Sequence, residues 1–113
     1  MSTARLLSLA PPGERSGDPP GGGEHFALEG VLDFGTVCAL LRDGERMLAG
    51  SGPLAIDLAG VHEANSAGLA LLLEWIDLAM RRGRPLRLYN LPESLVHLAE
   101  LANLGPLLPL ADA

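Results

Sequence analysis

The sequence has few basic residues, a single cysteine and no long apolar run, and each shortage excludes a class of protein. Eight Lys and Arg against 14 Asp and Glu give a net charge of −6, whereas nucleic-acid binders carry a basic patch. The only basic cluster, residues 81–84, lies where a helix should end, and the helix dipole accounts for it. Cys38 has no partner for an internal disulfide, which suits a reducing cytosol. The longest apolar stretch, residues 68–73, is far shorter than the roughly 20 residues that span a bilayer. We therefore expect a cytoplasmic chain that binds no nucleic acid and does not insert into the membrane.

Groups suited to catalysis or metal binding are also sparse. His25, His62 and His97 are far apart and fall on different predicted elements, and no His spacing typical of a metal site occurs. Asp57 could act as a general base, but neither a nucleophile nor a second acid accompanies it. We expect its side chain to hydrogen-bond loop backbone instead. The sequence thus predicts a protein that is not an enzyme and has no metal or cofactor.

The length of 113 residues is enough for one domain with a two-layer core. Residues 1–23 are predicted to form a short edge strand at 5–9 and then a flexible loop. Residues 10–23 hold four prolines and five glycines, so they cannot bury enough apolar surface to offset the entropy of ordering. The folded domain is predicted to span residues 24–113.

Strand and helix patterns alternate through this domain. In chain order they predict a strand over 25–32, a helix from 33 or 34 to 48, a strand over 54–58, a helix over 66–82, a strand over 85–89, a helix over 92–104 and a short strand at 107–108. The nearly continuous apolar run at 54–58 is typical of a strand buried on both faces. Together these elements predict an α/β fold, a mixed β-sheet of four to five strands with three to four helices packed against it.

The second predicted helix carries two apolar stripes. At about 100° per residue, one arc forms a core face of Leu69, Leu72, Leu73, Ile76 and Met80. Leu71, Trp75 and Leu78 form a second stripe roughly opposite the first. The chain has too few helices for a third layer, so the second stripe is predicted to be an exposed binding surface. The alternative is that a neighbouring helix packs over it. If exposed, the stripe also offers a route to weak self-association.

The turn before this helix has two interpretations. The side chain of Asn65 or Ser66 can cap the helix by accepting a hydrogen bond from a free N–H group of the first turn. A serine hydroxyl at a helix N-terminus could also carry a phosphate, because the dipole there favours negative charge. Capping alone explains the residue types. Ligands favour the carboxyl ends of such strands, so the turn is a candidate site under either interpretation.

The stretch LAIDLAGVHEANSAGLALLLEWIDLA, residues 54–79, resembles the central signature of STAS domains. STAS is the fold of sulfate-transporter cytoplasmic domains and bacterial anti-sigma-factor antagonists. The shared pattern is a strand ending in Asp-Leu, a turn similar to Asp-Ser-Ser-Gly, and then Gly-Leu-Ala-Leu-Leu. Within the family, the Gly-Leu-Ala-Leu-Leu-Leu and Ile-Asp-Leu-Ala stretches most resemble the STAS subunit of the Mla phospholipid-transport ABC complex of Gram-negative bacteria. The resemblance spans residues 26–108 and implies a STAS fold.

One departure from the family pattern bears on function. The antagonists usually begin this turn with Asp, followed by a hydroxyl that a partner kinase phosphorylates. This sequence has Asn65 and Ser66 there, and Ala67 removes a second hydroxyl. Loss of the carboxylate changes the local charge and weakens the expectation of a kinase-regulated switch, whereas it does not impair docking.

The resemblance implies an accessory subunit that binds, and stabilises or regulates, the cytoplasmic ATPase of a phospholipid transporter. Docking would use helix two and helix three and hold the chain at the inner membrane through the complex. The predicted contact residues are Asn65, Ser66, Ala67, Leu71, Trp75 and Leu78. The alternative is an anti-sigma-factor antagonist in which an anti-sigma kinase phosphorylates Ser66. A third hypothesis is a small-ligand site between Asp57 and Ser66.

Overall fold

Four β-strands form one mixed sheet in the computed structural model, which describes residues 2–9 and 23–110. In order across the sheet they are β1 (Ala4–Ser8), β2 (Glu24–Leu32), β3 (Leu54–Ala64) and β4 (Leu86–Tyr89). β1 is antiparallel to β2, whereas β2, β3 and β4 are mutually parallel, so the predicted mixed sheet is confirmed. Because β1 pairs with β2, the N-terminal strand belongs to the sheet of the main domain. The predicted flexible loop falls on residues 10–22, which lie outside the described residues.

Three helices alternate with the parallel strands as the sequence predicts. α1 (Val37–Leu48) connects β2 to β3, α2 (Ser66–Arg81) connects β3 to β4, and α3 (Glu93–Leu101) follows β4. The predicted closing strand at 107–108 is wrong. A short 3-10 helix, Gly105–Leu107, forms around Pro106, and the chain reaches the sheet only at Leu110, which makes a single parallel bridge with Leu88.

All three helices pack on one face of the sheet. Along β3, Leu54, Ile56 and Leu58 are buried, whereas Asp57 is only half-buried and Ala59 is exposed. The buried strand residues form one core with buried residues from every helix. The prediction that this strand is buried on both faces is therefore wrong, because the side chains on its second face are not buried and no helix within residues 2–9 and 23–110 covers that face.

α2 is the middle helix of the three, and this position explains its two apolar stripes. It contacts α1 on one flank and α3 on the other. Trp75 is 0% exposed, Leu71 is buried and Leu78 is half-buried, whereas Met80, predicted to lie in the core, is 74% exposed. The predicted exposure of the Leu71, Trp75 and Leu78 stripe is therefore wrong, because α1 covers that flank.

A glycine in α1 makes room for the only tryptophan. A methyl group added at Gly44 would overlap the indole ring of Trp75, so the two helices can approach this closely only with glycine at that position. The indole Nε1 of Trp75 finds no hydrogen-bond acceptor among the described residues. The contact is therefore held by apolar packing, with Trp75 as the largest fully buried side chain of the core.

At the opposite end of the sheet from the starts of the helices, Arg84 links several elements. Its guanidinium donates to the carbonyl oxygens of Met47 at 2.7 Å and Gly52 at 2.9 Å, and to Glu24 Oε1 at 2.9 Å. The side chain is 3% exposed, so the helix dipole is not the main reason for this arginine. The last turn of α1, the loop before β3 and the first residue of β2 are thereby joined, and we call this region the closed end.

Candidate functional site

The candidate site lies at the other end of the sheet, which we call the open end. There β2 and β3 finish and the first turns of α1 and α2 begin, with Phe34 and Ser66 exposed. In parallel α/β sheets, ligands and partners favour the carboxyl ends of the strands. The sequence placed the candidate site at the turn before α2, and the structure adds the turn before α1 beside it.

Asn65 fixes the turn before α2. Its Oδ1 accepts a hydrogen bond from the Ala67 N–H at 2.9 Å, and its own N–H donates to the Leu32 carbonyl at 3.1 Å. The capping role predicted for Asn65 is confirmed. A Cβ on Gly68 would lie 2.8 Å from the Leu32 Cβ, so this glycine lets α2 start close against β2. The turn is therefore fixed by the hydrogen bonds of Asn65 and by the close contact of α2 with β2, and these hold Ser66 and Ala67 in place.

Ser66 is the first residue of α2, next to these contacts. The residue is exposed, and within the described part of the chain its hydroxyl makes no hydrogen bond. It lies at the positive end of the helix dipole. Ala67, the next predicted contact residue, is buried and lines the cleft described below.

The turn before α1 presents an aromatic side chain that sequence reasoning missed. Phe34 is 75% exposed, and the residues on either side of it are fixed by hydrogen bonds. The Thr36 hydroxyl donates to the Val31 carbonyl at 2.8 Å, and Asp33 Oδ1 accepts from the Gly35 N–H at 2.8 Å. The pKa of Asp33 is lowered, first by the Ser2 hydroxyl and also by the Gly35 and Thr36 N–H groups. The sequence signal that could have revealed Phe34 is an aromatic residue between Asp33 and Gly35 in a turn.

An apolar cleft runs between the two helices from this turn, and we call it the α1–α2 cleft. Its volume is approximately 410 Å³. It is lined by Phe34, Val37, Leu41 and Glu45 from the α1 side and by Ala67, Ala70, Leu71, Glu74 and Leu78 from α2. Two residues of the predicted stripe, Leu71 and Leu78, thus reach a surface, whereas Trp75 is internal and takes no part in the lining.

Asp57 does not belong to the open end. Its Oδ1 accepts hydrogen bonds from the Ala59 N–H at 2.9 Å and from Asn90 Nδ2 at 3.0 Å, so Asp57 does bond backbone, but within β3 and not in a loop as predicted. Seven residue steps along β3 separate Asp57 from Ala64, and in an extended strand they cover more than roughly 20 Å. A single small-ligand site formed by Asp57 and Ser66 is therefore excluded by distance.

Residues 2–9 and 23–110 contain no group of three His, Cys, Asp or Glu side chains arranged to hold a metal ion. The three histidines lie on β2, β3 and α3. In the same part of the chain, none of the helices has the length and apolar character that a membrane span requires.

Known proteins resemble this chain in sequence and in fold. A family model described as "Mlab, STAS domain" matches residues 20–109. The chain is 38% identical over 82 residues to the intermembrane phospholipid transport system binding protein MlaB of Escherichia coli (strain K12), covering 73% of this chain and 82% of that protein. The protein of the same name from Shigella flexneri matches with the same identity and coverage.

A solved structure gives independent support for the fold. The anti-sigma factor antagonist SpoIIAA in its unphosphorylated form aligns with a TM-score of 0.64 over 80% of this chain and 78% of that chain. The identity is 17%, so this likeness shows the fold alone. The fold, the family model and the curated relatives agree, and the chain belongs to the Mlab, STAS domain family.

Proposed function

We propose that this chain is a non-catalytic STAS accessory subunit that binds, and stabilises or regulates, the cytoplasmic ATPase of a bacterial Mla-type phospholipid ABC transporter. It would lie in the cytoplasm, peripheral to the inner membrane through the transporter complex. The observation that carries the proposal is the open end, where a rigid turn presents Ser66 beside an apolar cleft and the exposed Phe34. The resemblance to MlaB, a phospholipid transport system binding protein, supports it.

The geometry of the open end suits docking of a protein. Phe34 offers an exposed aromatic anchor, and a concave apolar surface lies beside it. Both turns are fixed by hydrogen bonds, so little entropy is lost when a partner binds. α3 follows β4, whose last residue Tyr89 pairs with Asp57, so α3 starts level with the middle of β3 and is not included in the proposed surface.

The proposed contact residues differ in one respect from those predicted from the sequence. Asn65, Ser66 and Leu78 remain in the proposed surface, with the buried Ala67 and Leu71 reached through the cleft. Trp75 is removed from direct contact because it is fully buried. Its contribution to docking would be indirect, through the position of α1 relative to α2.

A second candidate function is an anti-sigma-factor antagonist switched by phosphorylation of Ser66. The exposed hydroxyl, with no hydrogen bond to the described part of the chain, favours it. A kinase could reach this group, and the helix dipole would stabilise the phosphate. Asn65, where the antagonists usually carry Asp, argues against this alternative, because the turn lacks the carboxylate charge that precedes the phosphorylated hydroxyl in those proteins.

Co-expression with the transporter separates the two candidates. The tagged chain is purified after co-expression with the ATPase and permease subunits of the Mla-type transporter of its own genome, and in parallel with an anti-sigma kinase of that genome. We expect a stoichiometric complex with the ATPase, raised thermal stability of the ATPase, and no phosphate on Ser66 by intact-mass analysis. Stoichiometric phosphorylation of Ser66 together with a complex containing only the kinase would contradict the proposal.

A further inference from the structure

The α1–α2 cleft is apolar except for two carboxylates. Of the nine residues that line it, only Glu45 and Glu74 are charged, and both are exposed. One stands on each wall, because Glu45 belongs to α1 and Glu74 to α2. An acidic pair on an otherwise apolar surface restricts what can dock there.

The two glutamates lie at the same depth along the cleft. Glu45 is eight residues beyond the start of α1 at Val37, and Glu74 is eight residues beyond the start of α2 at Ser66. Both helices follow parallel strands, so they run in the same general direction. At about 1.5 Å per residue, each carboxylate is about 12 Å from the open end.

Neither glutamate forms an ion pair within the described part of the chain, although Arg42 lies one turn before Glu45 on α1. The ion pairs found there join Arg5 to Glu29, Arg81 to Asp77 and Arg84 to Glu24. On α2, therefore, Asp77 has an arginine one turn away, while Glu74 has none. A partner that covers the cleft must remove water from both carboxylates, and this is unfavourable unless it supplies positive charge.

We propose that the α1–α2 cleft receives a helix of the ATPase subunit that packs apolar side chains against Phe34, Val37 and Leu41 and places one arginine or lysine between Glu45 and Glu74. This inference rests on the proposed function and names the chemistry of the partner surface. An arginine can donate to both carboxylates at once, which fixes the register of the docked helix as well as adding affinity. The apolar contacts lie between the carboxylates and the open end, so the helix carries its basic residue about 12 Å from that end.

The same charges disfavour a second copy of this chain as the occupant. Two copies related by a two-fold axis through the cleft would bring four glutamates together, because each copy contributes Glu45 and Glu74. Like charges placed opposite one another across an interface are unfavourable. The net charge of −6 adds to that repulsion.

The test compares two double variants in binding to the ATPase subunit of the same genome, measured by calorimetry at several salt concentrations. Glu45→Gln with Glu74→Gln removes the charges of the cleft and keeps the side-chain size. Asp43→Asn with Glu100→Gln removes the same number of charges from exposed positions outside the cleft, on the other flank of α1 and on α3. We expect the first pair to weaken binding at least about tenfold and to reduce its salt dependence, and the second to leave both nearly unchanged.

Every other outcome contradicts either the inference alone or the inference together with the proposed function. If the wild-type chain does not bind the ATPase, the proposed function and this inference fail together. If it binds and both double variants bind equally well, or are weakened equally, only the inference fails. A wild-type dimer that the cleft variant makes more stable, seen by light scattering, would show that a second copy occupies the cleft and would also contradict the inference.

Discussion

The two ends of the sheet differ in how their polar groups are used. At the closed end, the buried guanidinium of Arg84 joins residues that are 32 to 60 positions away in the chain. At the open end, the caps of the two turns are local, with Asn65 bonding two residues ahead and Thr36 five residues back, and Phe34 and Ser66 are left to solvent. Long-range side-chain bonds hold the closed end together, whereas the open end is tied across the chain by the backbone bond from the Asn65 N–H to the Leu32 carbonyl and leaves Phe34 exposed.

The largest expected effect contrasts the two aromatic side chains beside α1. Trp75→Ala should lower the free energy of unfolding by about 3–5 kcal/mol, because it empties a fully buried site between α1 and α2. Phe34→Ala should change it by less than about 0.5 kcal/mol, since that ring is mostly exposed. Urea denaturation measures both. A Trp75→Ala protein as stable as wild type would mean that this side chain is not internal.

An independent variant tests the same contact from α1. Gly44→Ala improves helix propensity, yet it should destabilise the protein by about 1–3 kcal/mol because the added methyl group overlaps the indole. A gain in stability, as expected for an open position in a helix, would show that the helices are farther apart than described.

Arg84 should have the next largest effect. Arg84→Met keeps much of the side-chain volume but leaves the Met47 and Gly52 carbonyls without their donor, so we expect a loss of about 1–3 kcal/mol. Arg87→Met is the matched control, because Arg87 is exposed on β4 and should be nearly neutral. Equal urea midpoints for the two variants would show that the hydrogen bonds of Arg84 contribute no more stability than an exposed arginine does.

The open end should respond more weakly and locally. Asn65→Ala should cost about 1 kcal/mol, the usual effect of losing a helix cap. Asn65→Asp should recover most of that loss, because a carboxylate accepts the same bond from the Ala67 N–H and favours a helix N-terminus. If Asn65→Asp unfolds as easily as Asn65→Ala, the cap is not the reason for Asn65.

Ser66 should have the smallest effect on stability and a clear effect on docking. Ser66→Ala should change the unfolding free energy by no more than a few tenths of a kcal/mol, because Asn65 is the cap. Ser66→Asp should fold normally but bind the ATPase subunit more weakly, since it adds a charge beside a largely apolar surface. Thermal denaturation and calorimetric binding of the two variants provide the comparison, and full binding by Ser66→Asp would place the interface elsewhere.

The sequence was sufficient for the architecture but not for the surfaces. Periodicity showed that α2 has two apolar stripes, but it could not show that α1 would cover the one holding Trp75, because that depends on the close approach at Gly44. Local patterns narrowed the cap to Asn65 or Ser66, since capping involves neighbours in the chain, and the structure shows that it is Asn65. Arg84 was indistinguishable from the other arginines at the end of α2, because its acceptors are distant in sequence. Local chemistry is therefore readable from the sequence, whereas contacts between elements are not.

Hydrogen exchange of the chain, alone and bound to the ATPase subunit, tests the central claim most directly. If docking uses the open end, amides in residues 34–41 and 65–71 should exchange more slowly in the complex, while those around Met47 and Arg84 at the closed end should be unchanged. Protection confined to the closed end, or to the sheet face without helices, would contradict the account.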